Sequence, residues 1–340
     1  MTNIKDIAQY CDVAVSTVSR VLNDHPDVSE QTRIKVMEAV ERFHYIPNNS
    51  ARNLVRTTSD AIALLVKGVN NPFFAKLIKA IEREVTERGF TLELHQIDTS
   101  EDELHAAALL VTERKLRGIL FLGGRFNYVP EDIACITVPF VMCTYTNSFG
   151  SLALDTYSSV AIDDKQAARL AVHTLYELGH RKIAILCNDE HDTSISELRT
   201  EGYRSALAER GIAFDRNLVA CSKSFSDMGA IYRSVTDMID RGAAFTAIFA
   251  IADLMAIAAI KALSDRGRRV PDDCSVVAID GLELSAYMLP TLTTLVQPAE
   301  EMGLACARTL IDLIEGHGQH RNVTFKTTLR PGGSVLTYQA

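Results

Sequence analysis

From residue 61 onward, short aliphatic runs alternate with stretches of helical periodicity, and this alternation leaves the chain few folds to choose from. The runs fall at 62–66, 92–97, 118–122, 140–145, 183–187, 218–221, 247–250 and 276–279. Between them, segments such as 74–88 and 165–178 repeat apolar residues at helical spacing and close on Gly89 and Gly179. Strands that are apolar on both faces need cover on both sides, so the pattern predicts parallel sheets sandwiched by helices. At least eight such strands over about 270 residues exceed one comfortable core. The expectation is an α/β body of two doubly wound lobes, with any ligand held just beyond the carboxyl ends of the strands.

The first 46 residues read differently. Ile4, Ile7, Ala8 and Cys11 form one apolar stripe, Val15, Val18, Val21 and Leu22 a second, and Ile34, Met37, Val40 and Phe43 a third. Asn3 and Ser29 stand where caps belong, with Asp6 placed to reach back to the first. Residues 12–14 form a turn, and the third helix stops before Pro47, because the residue preceding a proline resists the α region. Two helices joined by so short a turn make a helix-turn-helix, whose second helix offers its N-terminal side chains to the major groove. On that helix Val15 suits a thymine methyl, Ser16 a donor or an acceptor, and Arg20 a guanine edge or a phosphate. The same pattern also fits a three-helix bundle with no partner.

Bulk charge does not announce nucleic acid. The net charge is −8, and residues 1–59 carry seven Lys/Arg against seven Asp/Glu, although Arg42, Arg52 and Arg56 share residues 42–59 with no acid. The seven cysteines are odd in number, never spaced CxxC, and sit mostly in apolar runs, which reads as reduced thiols in a reducing compartment. The start, MTNIKDIAQY, has no apolar targeting core, so a cytoplasmic location is expected. The most apolar stretch, 243–263, is broken by Thr246 and Asp253 and reads as a strand and a helix, with no membrane role. No GxxxxGK phosphate loop, GxSxG elbow or HExxH helix is present. The chain is therefore expected to be no enzyme, and to need no cofactor and no metal. His317 and His320, in the Gly-rich GHGQH, read as a solvated loop.

The run DIAQYCDVAVSTVSRVLN at 6–23, followed by VSEQTRIKVMEAVERFHYIPNNSARNL, resembles the head of the lactose-repressor (LacI/GalR) family over about fifty consecutive residues. That family shows D-V/I-A-x-x-A-G-V-S-x-x-T-V-S-R-V-L-N, then V-S-x-x-T-R-x-x-V, then Y-x-P-N-x-x-A-R-x-L. Asp12 replaces the family's turn glycine, a mild change because Asp tolerates left-handed backbone. Ala14 replaces its capping serine, which removes roughly 1 kcal/mol of cap and a phosphate contact. The resemblance implies DNA contacts from Val15, Ser16, Thr17, Ser19, Arg20 and Asn23 in the head. It implies further contacts from Asn48, Ser50, Ala51, Arg52 and Leu54 in a hinge helix at 48–55. Eight residues are too few for a stable isolated helix, so hinge order should depend on DNA and a paired copy. Leu54 would then wedge between base pairs from the minor groove, and the bland alternative is a plain linker.

The body resembles the same family in NNPFFAKLIKAIE (70–82), VAIDDKQAARLAVHTLYELGHRKIAIL (160–186), LRTEGYRSAL (198–207), AIFAIADLMAIAAIKAL (247–263), VPDDCSVVAIDG (270–281) and LPTLTTLVQP (289–298). The fold implied is that of periplasmic sugar-binding proteins. Carried over by position, the effector cleft would present Phe73, Phe74, Asp163, Arg199, Phe225, Asp253 and Asp280. Carboxylates and Arg bind hydroxyl groups, and a Phe face covers the apolar side of a sugar ring. Phe73 or Phe74 as core, and Asp163 or Asp253 as helix caps, are the alternatives. The family's frequent Asn before the Asp253 position is Ala252, and its Asn-x-x-Gly-Gly reads Asp164-Lys165-Gln166-Ala167-Ala168. Both departures argue against lactose itself as the ligand.

The domains expected are a head at 1–46, a hinge and linker at 47–60, an N-terminal lobe at 61–158 with 290–318, and a C-terminal lobe at 159–289 with 319–340. The function implied is a repressor that binds a pseudo-palindromic operator in double-stranded DNA as a homodimer and senses a small sugar-like effector. A solute-binding protein working with a transporter, and a cytoplasmic sugar-binding or sugar-processing protein, are the rival readings. No leucine heptad follows Pro331, so no tetramerising tail is expected.

Overall fold

The computed structural model describes residues 4–22, 25, 27–43, 60–68, 71–98, 100–188, 194–222 and 227–339. The chain divides into two units, residues 1–59 and 60–340.

The first unit holds α1 (Ile4–Tyr10), α2 (Val15–Leu22) and α3 (Glu30–Arg42). Asp12 turns the chain between α1 and α2 at φ 49°, the left-handed conformation that Asp accepts. Ser29 caps α3, its hydroxyl accepting the Thr32 N–H at 3.3 Å. Ile7, Ala8, Cys11, Val18, Val21, Val36 and Ala39 make the core. The expected inner stripe of α3 is thus corrected: Ile34, Met37 and Phe43 are exposed, and the smaller Val36 and Ala39 face inward. Small side chains there let three short helices approach closely.

The second unit contains two six-stranded sheets. In chain order its elements are β1 (Ala61–Lys67), α4 (Phe73–Glu87), β2 (Thr91–Ile97), α5 (Glu103–Arg114), β3 (Gly118–Leu122), α6 (Pro130–Ile133), β4 (Phe140–Cys143) and β5 (Ser158–Ile162). There follow α7 (Asp164–Glu177), β6 (Ile183–Asn188), α8 (Ile195–Glu209), β7 (Val219–Ser222), α9 (Met228–Asp240), β8 (Ala247–Ala250), α10 (Asp253–Asp265) and β9 (Ser275–Asp280). The last are β10 (Thr293–Val296), α11 (Ala299–Ile314), β11 (Asn322–Phe325) and β12 (Thr328–Arg330). The sheet orders are β11-β5-β4-β3-β1-β2 and β12-β10-β9-β8-β6-β7, and the β10–β12 pairing is antiparallel. The remaining pairings are parallel. The central strands β1, β3, β6, β8 and β9 are buried along their length, as apolar runs covered by helices on both faces must be.

The chain crosses between the sheets at 163, at 297–298 and at 326–327, which corrects the lobe boundaries expected from the sequence. β5 pairs with β4 (Val141↔Ser158) and stays in the first sheet, although 159 onward was assigned to the second lobe. β10 pairs with β9 (Thr293↔Val277) in the second sheet, although 290–318 was assigned to the first. β11 pairs with β5 (Asn322↔Ser159) in the first, although 319–340 was assigned to the second. These strands are short and rich in Ser, Thr and Asn, so backbone pairing places them where no aliphatic run marks them. Residues 243–263 form β8 and α10, and no helix among the described residues is long and apolar enough to cross a membrane.

Candidate functional site

The head presents one polar face. Val18 and Val21 point α2 into the core, which turns Val15, Ser16 and Arg20 outward. Thr17 and Ser19 are half-buried at the edges of that face, and Val15 is 40% exposed. An exposed apolar side chain beside a hydroxyl and a guanidinium at the start of a helix suits the edges of bases. Ala14 offers α2 only its carbonyl, which accepts the Thr17 N–H at 2.9 Å. Asn23, Asn48, Ser50, Ala51, Arg52 and Leu54 lie outside the described residues, as does Phe225.

In the second unit, most described candidates stand just beyond strand carboxyl ends: Phe73 and Phe74 after β1, Asp163 after β5, Asp253 after β8 and Asp280 at the end of β9, while Arg199 lies on the second turn of α8, the helix that follows β6. Arg199 and Asp280 come together in a buried ionic node. The Arg199 Nε–H donates to Asp164 Oδ1 at 2.8 Å, and Nη1 donates to the Ile251 carbonyl and lies 3.6 Å from Asp280 Oδ1. Asp280 Oδ1 also accepts from Gln297 Nε2 at 2.8 Å. The Arg199 side chain is only 2% exposed. Its guanidinium thus makes three contacts to the protein itself. Asp164 was legible only as a departure from the family pattern, and Gln297 was not singled out.

Burial pushes the Asp280 carboxyl up to about 7, against the pull of Arg199 and with a further push from Asp253. Burial raises Asp164 as well, opposed by the same guanidinium. Asp280 holds φ 140°, a region that costs a residue with a side chain on the order of 1–3 kcal/mol. Gly281 follows at φ 76°, where an added Cβ would lie 2.7 Å from Val296. The tight turn thus keeps the Asp280 carboxylate beside the crossover strand.

A cavity of about 580 Å³ opens against this node, lined by Phe73 and Lys76 of α4, by Asp280, by Gln297 and Lys326 of the crossovers, and by Thr328 at the start of β12. Of the candidates, Phe73 and Asp280 line it, and Arg199 stands behind Asp280. Phe74 is buried, and its ring tip lies 3.6 Å from the place of a Cβ on Gly123, so it serves as core. Asp163 caps α7 by accepting the Gln166 N–H at 2.9 Å and remains exposed. Asp253 is fully buried and accepts from the Leu282 N–H at 2.7 Å, the Ser285 hydroxyl at 2.9 Å and the Thr294 hydroxyl at 2.5 Å. Its carboxylate ties the segment after β9 to the start of α10, and it has no surface to offer a ligand. Opposite, in the first lobe, buried Glu103 accepts from Lys67 Nζ at 2.7 Å, from the Arg125 N–H at 2.9 Å and from the Tyr128 hydroxyl. That acceptor fixes the carboxyl ends of β1 and β3, and the sequence carried no signal for it.

A helix-turn-helix unit followed by two doubly wound sheets with a polar crevice at their crossovers defines a DNA-binding regulator that senses a small molecule. The chain belongs to the lacI family of bacterial regulatory proteins: residues 3–48 match that family, and residues 172–335 match the periplasmic binding protein-like domain. It is 39% identical over 329 residues to the transcriptional regulator MalR of Clostridium butyricum, covering 96% of this chain and 97% of that one. The structure is similar to that of the transcriptional regulator CelR in complex with cellobiose, with a TM-score of 0.72, 28% identity and coverage of 98% and 100%. A lac repressor dimer bound to operator, at 24% identity and TM-score 0.78 over 98% and 99% of the two chains, shares the fold.

Proposed function

We propose that this regulator is a cytoplasmic homodimeric repressor whose two heads occupy the half-sites of a pseudo-palindromic operator. Its effector is a small saccharide-like molecule held between the two sheets. Val15, Ser16, Thr17, Ser19, Arg20 and Asn23 read the half-sites, and Asn48, Ser50, Ala51, Arg52 and Leu54 enter the central minor groove. The effector site consists of Phe73, Asp280, Arg199 and Phe225, with Asp163 at its rim. The observation that carries this reading is the buried Arg199–Asp280 pair at a cavity of about 580 Å³, on the line where the chain passes from one sheet to the other. A ligand there contacts both sheets and the crossovers, so it favours one angle between them. The cellobiose bound to CelR supports the choice of ligand class. The protein performs no chemistry on the effector and needs no cofactor.

The coupling must be reciprocal: an effector that weakens operator binding is itself bound more weakly by the operator complex. Thermal unfolding against neutral sugars, paired with fluorescence anisotropy on operator DNA, tests both halves. A sugar at about 100 times its Kd adds about 2.7 kcal/mol of stability and shifts the operator isotherm. Asp280→Asn removes both responses. A ligand that stabilises the protein but is recovered chemically altered by mass spectrometry would overturn the assignment as a regulator without catalysis.

A further inference from the structure

Arg199 is the only cation of the ionic node, and its two neighbours Asp164 and Asp280 are both carboxylic acids, 5% and 7% exposed. With both acids ionised the node is one unit negative, and with one of them protonated it is neutral. Only with both acids protonated would the node carry net positive charge.

Hydrogen-bond geometry points the same way. Guanidinium groups hold phosphates and carboxylates with two-nitrogen forks, either Nε with one Nη or the two Nη together. Here Nε is taken by Asp164 and Nη1 by the Ile251 carbonyl, so each fork has lost one nitrogen. Nη2 is the nitrogen that no described residue engages. One donor nitrogen beside the Asp280 carboxylate matches a hydroxyl group, which accepts from one and donates to the other. The cavity wall adds no net positive charge: Glu300 is paired with Arg83 at 2.8 Å, and Glu283 and Glu301 balance Lys76 and Lys326. An anion entering there would lose water without gaining a net positive partner.

We infer that this crevice selects an effector bearing no phosphate or carboxylate, an uncharged polyhydroxylated molecule, because the Arg199 donors are taken by Asp164 and the Ile251 carbonyl and its charge is balanced by Asp164 and Asp280. The inference rests on the saccharide reading above and narrows it. Asp164 is then a specificity-determining residue that acts through Arg199.

The test compares each uncharged sugar with its anionic counterpart on the full-length protein, by thermal shift and calorimetry: ribose with ribose 5-phosphate, galactose with galacturonate, maltose with maltose 6′-phosphate. The uncharged member of the responding pair is expected to bind at least about tenfold more tightly. In Asp164→Asn, whose side-chain carbonyl still accepts from Arg199 Nε, that gap is expected to narrow about tenfold. An anionic member that binds as tightly as its parent, with the binding lost in Asp280→Asn, overturns this inference and leaves the saccharide reading standing. So does a gap that Asp164→Asn leaves intact. A panel in which no sugar of either kind binds overturns the saccharide reading, and this inference with it. Should Asp164→Asn not fold, the paired affinities of the unaltered protein decide alone.

Discussion

Replacing Arg199 with methionine removes the only cation from a buried cluster while keeping most of its volume. The variant loses the 2.8 Å bond to Asp164, the bond to the Ile251 carbonyl, and the charge 3.6 Å from Asp280. Two carboxyl groups stay buried, and one of them, Asp164, is left without the only side-chain partner it has among the described residues. Breaking a buried ion pair from one side costs about 3–5 kcal/mol. At roughly 2–4 °C per kcal/mol for a domain of this size, the melting temperature should fall by about 10 °C. The cost must also depend on pH. Both carboxyls already sit above the ordinary carboxylate range, Asp280 at about 7, because burial favours their neutral forms. A raised native pKa means stability that is full below the unfolded value near 3.8 and falls as pH rises through the native value. Without Arg199 both carboxyls move higher still, so the deficit is largest near pH 8 and shrinks toward pH 5 as they protonate. Urea unfolding of both proteins at pH 5, 6.5 and 8, followed by circular dichroism, measures this. A loss under about 1 kcal/mol, or a deficit equal at pH 5 and pH 8, would refute the assignment of the node as a charge-compensated unit.

The C-terminal tail offers a pH test of opposite sign. His180 is buried: its Nε2–H donates to the Leu336 carbonyl at 3.1 Å, Nδ1 lies 2.9 Å from the Thr246 hydroxyl, and its ring lies beside Tyr338. Burial lowers its pKa below the ordinary 6.5, so its contribution is complete above pH 6.5 and declines as pH falls below it. Amide exchange at Leu336 and Tyr338, corrected for intrinsic rates, should accelerate between pH 7.5 and 5.5, and unchanged protection there would exclude the role. In the head, exchanging Val15 and Ser16 for other side chains should alter half-site preference by about 1–3 kcal/mol per base contact. Leu54→Ala should weaken binding to every operator without changing which half-site is preferred. A Leu54→Ala protein with normal affinity and an altered half-site preference would reverse those two roles.

Local pattern was enough for the head, because helix stripes, a three-residue turn and a cap at Ser29 are decided within a few residues of one another. Even there the inner face of α3 was misjudged, since Ile34 and Val36 are both apolar and only packing against α1 and α2 selects Val36. The buried central strands were legible for the same reason: a run such as 276–279 has no polar face to expose. β5, β10, β11 and β12 were not, because Ser158–Ile162, Thr293–Val296, Asn322–Phe325 and Thr328–Arg330 become strands through the partners they meet. The site divides along the same line. Position after a strand end marked Arg199 and Asp280 as residues of the crevice, while Asp253 has the same position and spends its carboxylate on Leu282, Ser285 and Thr294. Asp164 and Arg199 are 35 residues apart, and their contact exists because α7 and α8 pack side by side beneath the second sheet. Side-chain periodicity is a property of neighbours along the chain and survives in the sequence. Which carboxylate compensates which cation depends on strand order and burial, and the tertiary structure alone decides it.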